Sequence, residues 1–182
     1  MDATRKLIEA VGEDVDREGL KETPARVAAA YGTLLRGYEQ DPKDILSRTF
    51  KDKSYDQMVF LKDIEFFSLC EHHLIPFFGR AHIAYIPTDG KVVGISKLAR
   101  LVDCFACRFQ IQERMTVQIA DAIVKSLSPH TAVTVEAVHL CMRARGVGKQ
   151  NSVMRTQAIR GVFEEDAVRV EYLQALPPSL SL

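Results

Sequence analysis

The spacing of hydrophobic residues along the chain changes near Met58, from the period of a helix to a mixture of strand and helix patterns. Before that point one apolar stripe recurs at helical spacing, which places its members on one helix face. The members of the stripe are Val27, Tyr31, Leu34 and Leu35. The change predicts two units, a helical arm over residues 1–55 and a mixed α and β domain over residues 56–182.

The ends of the main helix in the arm are marked by residues with strong positional preferences. Thr23 followed by Pro24 is typical of an N-cap and a first helical turn. Gly37 predicts the end of the helix. The polar stretch over residues 41–56 predicts a linker between the arm and the rest of the chain.

The second unit is predicted to contain four strands, from its runs of β-branched and aromatic residues. These runs occupy residues 59–67, 80–86, 131–142 and 156–163. Two helices separate the second strand from the third, so the order is β-β-α-α-β-β and the fold class is α+β. A sheet of four strands has two edges that need covering or pairing, which favours a homo-oligomer.

The two helices of the second unit are amphipathic. Ser96 predicts the N-cap of the first helix, and the second is expected over residues 112–127. Their inward residues are predicted to be Leu98, Leu101, Val102, Phe105, Met115, Ile119, Ala122 and Ile123.

Composition limits the classes of partner. The chain is 47% hydrophobic and 26% charged, with 24 basic and 24 acidic residues and a formal net charge of zero. Proteins that bind nucleic acid or membrane surfaces usually carry a basic excess, so we expect neither partner. No apolar run approaches the roughly 18 residues of a spanning helix, and the first residues lack the apolar segment of a secretory signal. We expect a cytoplasmic protein with four cysteines that are thiols or metal ligands.

The segment Cys70-Glu71-His72-His73 is the strongest candidate for chemistry. Cysteine and histidine at i and i+3 can converge on one ion where the chain bends, and His139 and Cys141 offer further ligands. On a strand His139 and Cys141 would point to the same face. Thiolates with an imidazole favour zinc, and three protein ligands leave a position for water. The alternative is a buried cysteine that acts as a small hydrophobe and histidines that are ordinary loop residues.

A second pair, Cys104 and Cys107, could be a redox motif or half of a zinc site. Reactive pairs lie at helix starts, where the dipole lowers the thiol pKa. This pair lies inside a predicted amphipathic helix, so we expect both cysteines to be core residues.

Several segments resemble the GTP cyclohydrolase I family, and they occur in the family's order over roughly residues 10–165. They are residues 17–27, 68–73, 84–87, 94–100, 110–114 and 136–147. The resemblance implies a β-β-α-α-β-β unit (the tunnelling fold) after a helical hairpin, with antiparallel sheets assembled into a toroidal decamer. It also implies GTP and water as substrates, with zinc-dependent opening of the guanine imidazole ring, release of formate and formation of 7,8-dihydroneopterin triphosphate, the first step of tetrahydrofolate and pterin synthesis.

The resemblance also implies the residues of the site. One Zn²⁺ per subunit would be held by Cys70, His73 and Cys141, and His139 and His72 would transfer protons. The implied substrate contacts are Glu113 and Gln112 for guanine, and Ser96, Lys97, Arg100, Arg145 and Arg26 for the sugar and triphosphate. Nothing in the sequence identifies a regulatory protein partner.

Three alternatives remain beside this hypothesis. One is a paralogue with a different product from GTP, and another is a relative similar to a nitrile reductase, which would need a nucleophilic cysteine and a nicotinamide cofactor. The third is a binding module with a structural zinc, whose fourth ligand would come from Cys104, Cys107 or another histidine.

The sequence departs from the family pattern at four positions and at its end. Met154 and Gln157 stand where small hydroxyl residues are common, and Cys107 and Phe109 where arginine and proline are common. We expect effects on the last strand, on subunit contacts and on the rim of the phosphate site. The tail over residues 176–182 fits no motif and is expected to be frayed.

Overall fold

The computed structural model describes residues 1–180 and contains the predicted β-β-α-α-β-β unit with short elements added around it. The helices are α1 (Asp2–Ala10), α2 (Thr23–Leu34), α3 (Pro42–Leu46), α4 (Ile95–Ala106), α5 (Gln112–Ser126), α6 (Leu140–Arg143) and α7 (Asp166–Ala175). The strands are β1 (Thr49–Lys51), β2 (Val59–Cys70), β3 (Pro76–Tyr85), β4 (Lys91–Val93), β5 (Phe109–Gln110), β6 (Thr131–His139) and β7 (Met154–Arg160). The α+β class is confirmed.

The main sheet has five strands in the order β5-β2-β3-β6-β7. All pairs are antiparallel except β2 with β5, which is a short parallel pair. The fifth strand, β5, was not predicted, because two residues give no periodicity. A second, two-stranded sheet pairs β1 with β4.

One face of the main sheet is covered by α4 and α5. Side chains alternate between the faces of a strand, so Ile83 and Tyr85 of β3 point into this core with Val133 and Val135 of β6. The helices contribute the predicted apolar stripes. All eight of these residues are buried: Leu98, Leu101, Val102, Phe105, Met115, Ile119, Ala122 and Ile123.

The opposite face of the sheet carries a smaller core under α7, a helix that the sequence patterns did not predict. Ala84 and Ala132 pack there against Phe163 and Tyr172, and both aromatic rings are fully buried. The Tyr172 hydroxyl lies 2.6 Å from that of Thr134. Gln157, one of the departures from the family pattern, donates to the same Thr134 hydroxyl at 3.0 Å.

Three predictions about helix ends were wrong. Helix α2 begins at Thr23 itself and has Glu22 as its N-cap, and α4 begins one residue before Ser96 with Gly94 as its N-cap. Gly37 does not end α2, since Leu35 is the C-cap and Gly37 lies in a 3-10 turn over Arg36–Glu39. A Cβ on Gly37 would stand 2.3 Å from the Cys104 carbonyl oxygen, so this glycine allows a close approach of the arm to α4.

The polar stretch over residues 41–56 is more than a linker. It contains α3 and β1, and Leu46 of α3 is fully buried in the main core. The pattern missed α3 because a five-residue helix that buries one side chain shows no periodic stripe. The boundary between residues 55 and 56 stays a prediction.

The prediction of a frayed tail was wrong for the part that the structure describes. The Leu180 amide donates to Glu136 Oε2 at 3.0 Å, and Arg155 donates to the Ser179 hydroxyl at 3.0 Å. Residues 181 and 182 of that prediction lie outside the described range. Within residues 1–180 no helix combines the length and the apolar character needed to cross a bilayer.

Candidate functional site

The Cys70–His73 segment forms a tight turn between the first two long strands of the sheet. Cys70 is the last residue of β2 and β3 begins at Pro76. The Cys70 amide donates to the Ile75 carbonyl at 3.0 Å, and the Leu74 amide donates to the Cys70 carbonyl at 2.8 Å. Leu74 takes a left-handed backbone conformation with φ of 55°. The chain therefore bends between Cys70 and His73, as the convergence of these two residues on one ion would need.

The second part of the site lies at the end of β6, and here one prediction was wrong. The strand ends at His139, and Cys141 lies in the short helix α6 rather than on a strand face. His139 is paired with Phe77 in the register between β6 and β3. This register, together with the turn into α6, brings Cys141 to the end of β2.

The structure brings both predicted thiols together with a histidine. One ligand atom from each of Cys70, His139 and Cys141 lies within 4.8 Å of the other two. Burial raises the pKa of the Cys141 thiol, and the neighbouring Cys70 sulfur raises it further. Two sulfurs and one ring nitrogen are a donor set that suits Zn²⁺ better than Mg²⁺ or Ca²⁺.

The two adjacent histidines of the turn have different neighbours. His72 Nδ1 lies 3.6 Å from Cys70 Sγ. His73 is outside the group of ligand atoms described above, and its Nε2 lies 2.8 Å from a guanidinium nitrogen of Arg145. Arg145, predicted to bind triphosphate, is thereby placed at the edge of the candidate metal centre.

His139 is held on two sides by the side chains of Phe77 and Gln112. Its ring stacks on Phe77 with the ring centroids 4.6 Å apart and the planes 2° from parallel. Its Nε2 lies 2.9 Å from Gln112 Oε1. Burial lowers the pKa of His139, the Glu113 carboxylate opposes that shift, and His72 adds to it. The predicted guanine contact Glu113 is therefore close enough to act on His139 electrostatically.

Gln112 has a different environment from the one expected of a substrate contact. Its side chain is fully buried at the start of α5. The amide nitrogen faces the carbonyl oxygens of Val135 and Met154 and the hydroxyl of Thr156, at 3.0–3.1 Å. Every polar atom of the side chain thus has a protein partner.

The predicted phosphate contacts lie at the surface. Ser96, Lys97 and Arg100 occupy the first two turns of α4, and Arg26 lies on α2. In the described part of the chain, no ion pair engages Lys97, Arg100 or Arg26.

Two residues near the site were missed by the sequence analysis. Arg114 of α5 forms an ion pair with Glu71 in the turn that follows Cys70, and it also donates to the Phe109 carbonyl at 3.3 Å. Phe77 stacks on His139 as described. Arg114 lies in the motif over residues 110–114, but its partner Glu71 is far away along the chain. The spacing of residues in the sequence therefore could not identify this ion pair.

The rival cysteine pair belongs to the core, as predicted. Cys104 and Cys107 are both buried, and burial raises the pKa of each thiol. Cys104 Sγ lies 3.3 Å from Arg108 Nη2, and the Cys107 carbonyl accepts a hydrogen bond from the Gly37 amide. Among residues 1–180 the candidate metal group includes neither of them.

Comparison with known proteins gives a consistent family. The model of the family described as GTP cyclohydrolase I matches residues 1–176. A protein of Chlorobium phaeovibrioides named GTP cyclohydrolase 1 is 54% identical over 174 residues, which cover 94% of this chain and 78% of the relative. One of Wolinella succinogenes with the same name is 55% identical over 171 residues, covering 93% of this chain and 91% of the relative.

Among solved structures, the archaeosine synthase QueF-Like in its apo form matches with a TM-score of 0.47 and 22% identity. The match covers 57% of this chain and 93% of that protein. At that distance the likeness says nothing about the chemistry of the present chain.

Proposed function

The chain belongs to the GTP cyclohydrolase I family, and from that premise we propose that it opens the imidazole ring of GTP by hydrolysis. Formate is released, and the remaining ribose and pyrimidine rearrange to 7,8-dihydroneopterin triphosphate. The observation that carries the proposal is the convergence of the Cys70 and Cys141 sulfurs with an imidazole at the end of the sheet.

Cys70, His73 and Cys141 are proposed to hold one Zn²⁺ per subunit. The two sulfurs already lie together, and His73 follows Cys70 by three residues in a tight turn. When bound, zinc makes a coordinated water acidic enough to act as a nucleophile near neutral pH. A ring nitrogen of His139 also lies within 4.8 Å of both sulfurs. A direct test must therefore decide whether His73 or His139 is the nitrogen ligand.

His139 and His72 are proposed to move protons at the guanine ring. Water addition at C8 is easier when N7 is protonated as electrons arrive there, and this is the task of a general acid. His139 is fixed between Phe77 and Gln112, so its ring is pre-oriented. His72 would serve the later proton transfers of C8–N9 cleavage and ribose opening.

Glu113 is proposed to recognise guanine. The N1–H and 2-amino groups of guanine are adjacent donors, and one carboxylate can accept both. Glu113 is exposed on the first turn of α5, next in sequence to the buried Gln112. The Glu113 carboxylate acts electrostatically on His139, which supports a place for Glu113 beside the guanine ring that His139 would protonate.

The triphosphate is proposed to bind Ser96, Lys97, Arg100 and Arg145, with Arg26 from the arm. Several cations must converge on such an anion, and guanidinium groups fit its oxygens well. Lys97 and Arg100 are one turn apart at the start of α4, where the helix dipole attracts negative charge.

The active form is proposed to be a homo-oligomer, a toroidal decamer with sites at subunit boundaries, and neither nucleic acid nor membrane is a proposed partner. The main sheet ends on one side with β7 and on the other with the two-residue β5, and Phe67 of β2, on the β5 side, remains 63% exposed in the single chain. A large exposed aromatic beside sheet edges is typical of a surface that another copy covers.

The test is incubation of the purified protein with GTP, following formate and a pterin-type absorbance. We expect both products, loss of turnover on chelation, and recovery with Zn²⁺. Zinc content then distinguishes the two histidines. His73→Ala should lose the metal, whereas His139→Ala should keep it and lose turnover.

Two results would contradict this reading. Full turnover after rigorous removal of zinc would overturn the mechanism. If His139→Ala lost zinc and His73→Ala kept it, the nitrogen ligand of the zinc would be His139 and not His73.

A further inference from the structure

The buried amide of Gln112 has only one orientation that satisfies its surroundings. Its nitrogen faces two backbone carbonyl oxygens, those of Val135 and Met154, and the Thr156 hydroxyl. If the amide were turned over, its oxygen would face both carbonyls, and oxygen cannot donate to oxygen acceptors. The amide oxygen therefore faces His139.

This orientation fixes a proton on His139. Gln112 Oε1 can only accept, and it lies 2.9 Å from His139 Nε2. A ring nitrogen that bonds to an acceptor must carry the hydrogen. Nε2 therefore carries the hydrogen, and in the neutral ring the lone pair lies on Nδ1.

We propose that Gln112 is a positioning residue that holds His139 in the tautomer protonated at Nε2, which leaves the lone pair of the neutral ring on Nδ1. Any use of that orientation in catalysis rests on the proposed function, whereas the tautomer does not. The assignment differs from the expectation that Gln112 contacts guanine, since its side chain is fully buried and both of its polar atoms bond to protein groups.

The hydrogen bonds behind Gln112 extend to the last strand of the sheet. The hydroxyls of Thr116 and Thr156 lie 2.7 Å apart, and Thr116 donates to the Gln112 carbonyl at 2.8 Å. Met154 and Thr156 belong to β7, whereas His139 ends β6. The start of β7 therefore acts on His139 through Gln112.

The direct test is the ¹⁵N spectrum of the sedimented full-length protein labelled in histidine, as purified. The chain has five histidines, and the His139 signals can be assigned by their loss in His139→Gln. We expect a proton on Nε2 and none on Nδ1 when the ring is neutral. A neutral ring protonated at Nδ1 would overturn the proposal.

Two variants test the cause. Gln112→Met has a similar volume but no acceptor, so the Nδ1–H tautomer should become populated. Gln112→Glu should be a neutral carboxylic acid, because burial raises the pKa of a carboxyl group. Its hydroxyl then donates to the Val135 or Met154 carbonyl while its carbonyl oxygen accepts from Nε2, so the wild-type tautomer should persist even if Gln112→Met fails to fold. Gln110→Met is the matched control, because Gln110 is equally buried and its side chain bonds to Phe105, Gln118 and Arg114 instead of to His139. An unchanged tautomer in folded Gln112→Met, or an altered one in Gln110→Met, would overturn the proposal.

Kinetics separate positioning from substrate contact. General acid–base catalysis contributes about 10²–10⁴-fold, so Gln112→Met should lower kcat by about 10²-fold or more. The KM for GTP should change little, and Gln112→Glu should recover much of the loss. A raised KM with unchanged kcat would show instead that Gln112 binds guanine. If wild-type protein releases no formate from GTP, the proposed function fails, while the spectrum still decides the tautomer.

Discussion

Replacing Phe77 with leucine tests whether the stacked ring of His139 depends on its neighbour. Phe77 is fully buried and makes two aromatic contacts, the parallel stack on His139 at 4.6 Å and an edge-to-face contact with Phe66 at 5.9 Å. Each aromatic pair contributes about 0.5–1.5 kcal/mol beyond the area it buries. Phe77→Leu should therefore lower the free energy of unfolding by about 1–3 kcal/mol, with any cavity adding to that cost.

Phe66→Leu is the matched control, because it makes the same change of side chain in a residue that is 2% exposed. It removes the edge-to-face contact but leaves the stack on His139. Its expected cost is smaller by one aromatic pair, about 0.5–1.5 kcal/mol. Turnover should fall in Phe77→Leu, where His139 loses one of its two supports, and stay near wild type in Phe66→Leu.

The assay is urea unfolding at one fixed protein concentration, since association would otherwise shift the apparent stability, with formate release measured in parallel. If Phe66→Leu were as destabilised as Phe77→Leu and lost as much turnover, the stack on His139 would contribute nothing. The role assigned here to Phe77 would then be refuted.

Three further predictions concern the sheet, the second cysteine pair and a buried histidine. Gly79→Ala should lower the free energy of unfolding in urea by about 1–3 kcal/mol or more, because the added Cβ would meet a backbone carbonyl oxygen of β6. Wild-type stability in this variant would contradict the close packing of β3 on β6. Metal analysis of the Cys104→Ser, Cys107→Ser double variant should find zinc retained, and lost zinc would favour a structural site. Burial lowers the pKa of His82, whose Nδ1 accepts a hydrogen bond from the Asp63 amide. The stability that neutral His82 contributes is therefore fully present above the ordinary histidine pKa, and it is lost as pH falls through the lowered pKa of the folded state. When pH is lowered from about 7.5 to about 5, the free energy of unfolding should therefore fall less in His82→Asn than in wild type. An equal fall in both proteins would contradict the lowered pKa of His82.

The sequence by itself determined the central architecture and the chemical candidates. An apolar stripe such as Leu98, Leu101 and Val102 requires one face of α4 to be buried. The stripe does not depend on which element of the fold covers that face. The β-branched residues of β6 similarly predicted a buried strand. The thiols of Cys70 and Cys141 were identified from residue type and spacing, and the resemblance to one family agreed with them.

The tertiary structure decided which side chains meet. Periodicity reports the burial of an element, but it does not specify the partner across the sheet. The pairing of β3 with β6 places Phe77 beside His139, and the packing of α5 on β7 fixes the amide of Gln112. The same limit explains why α3 was missed, since Leu46 is the only residue of that short helix that is fully buried. Local patterns are properties of neighbours along the chain, whereas hydrogen-bond partners and the tautomer of His139 depend on register between segments far apart in sequence.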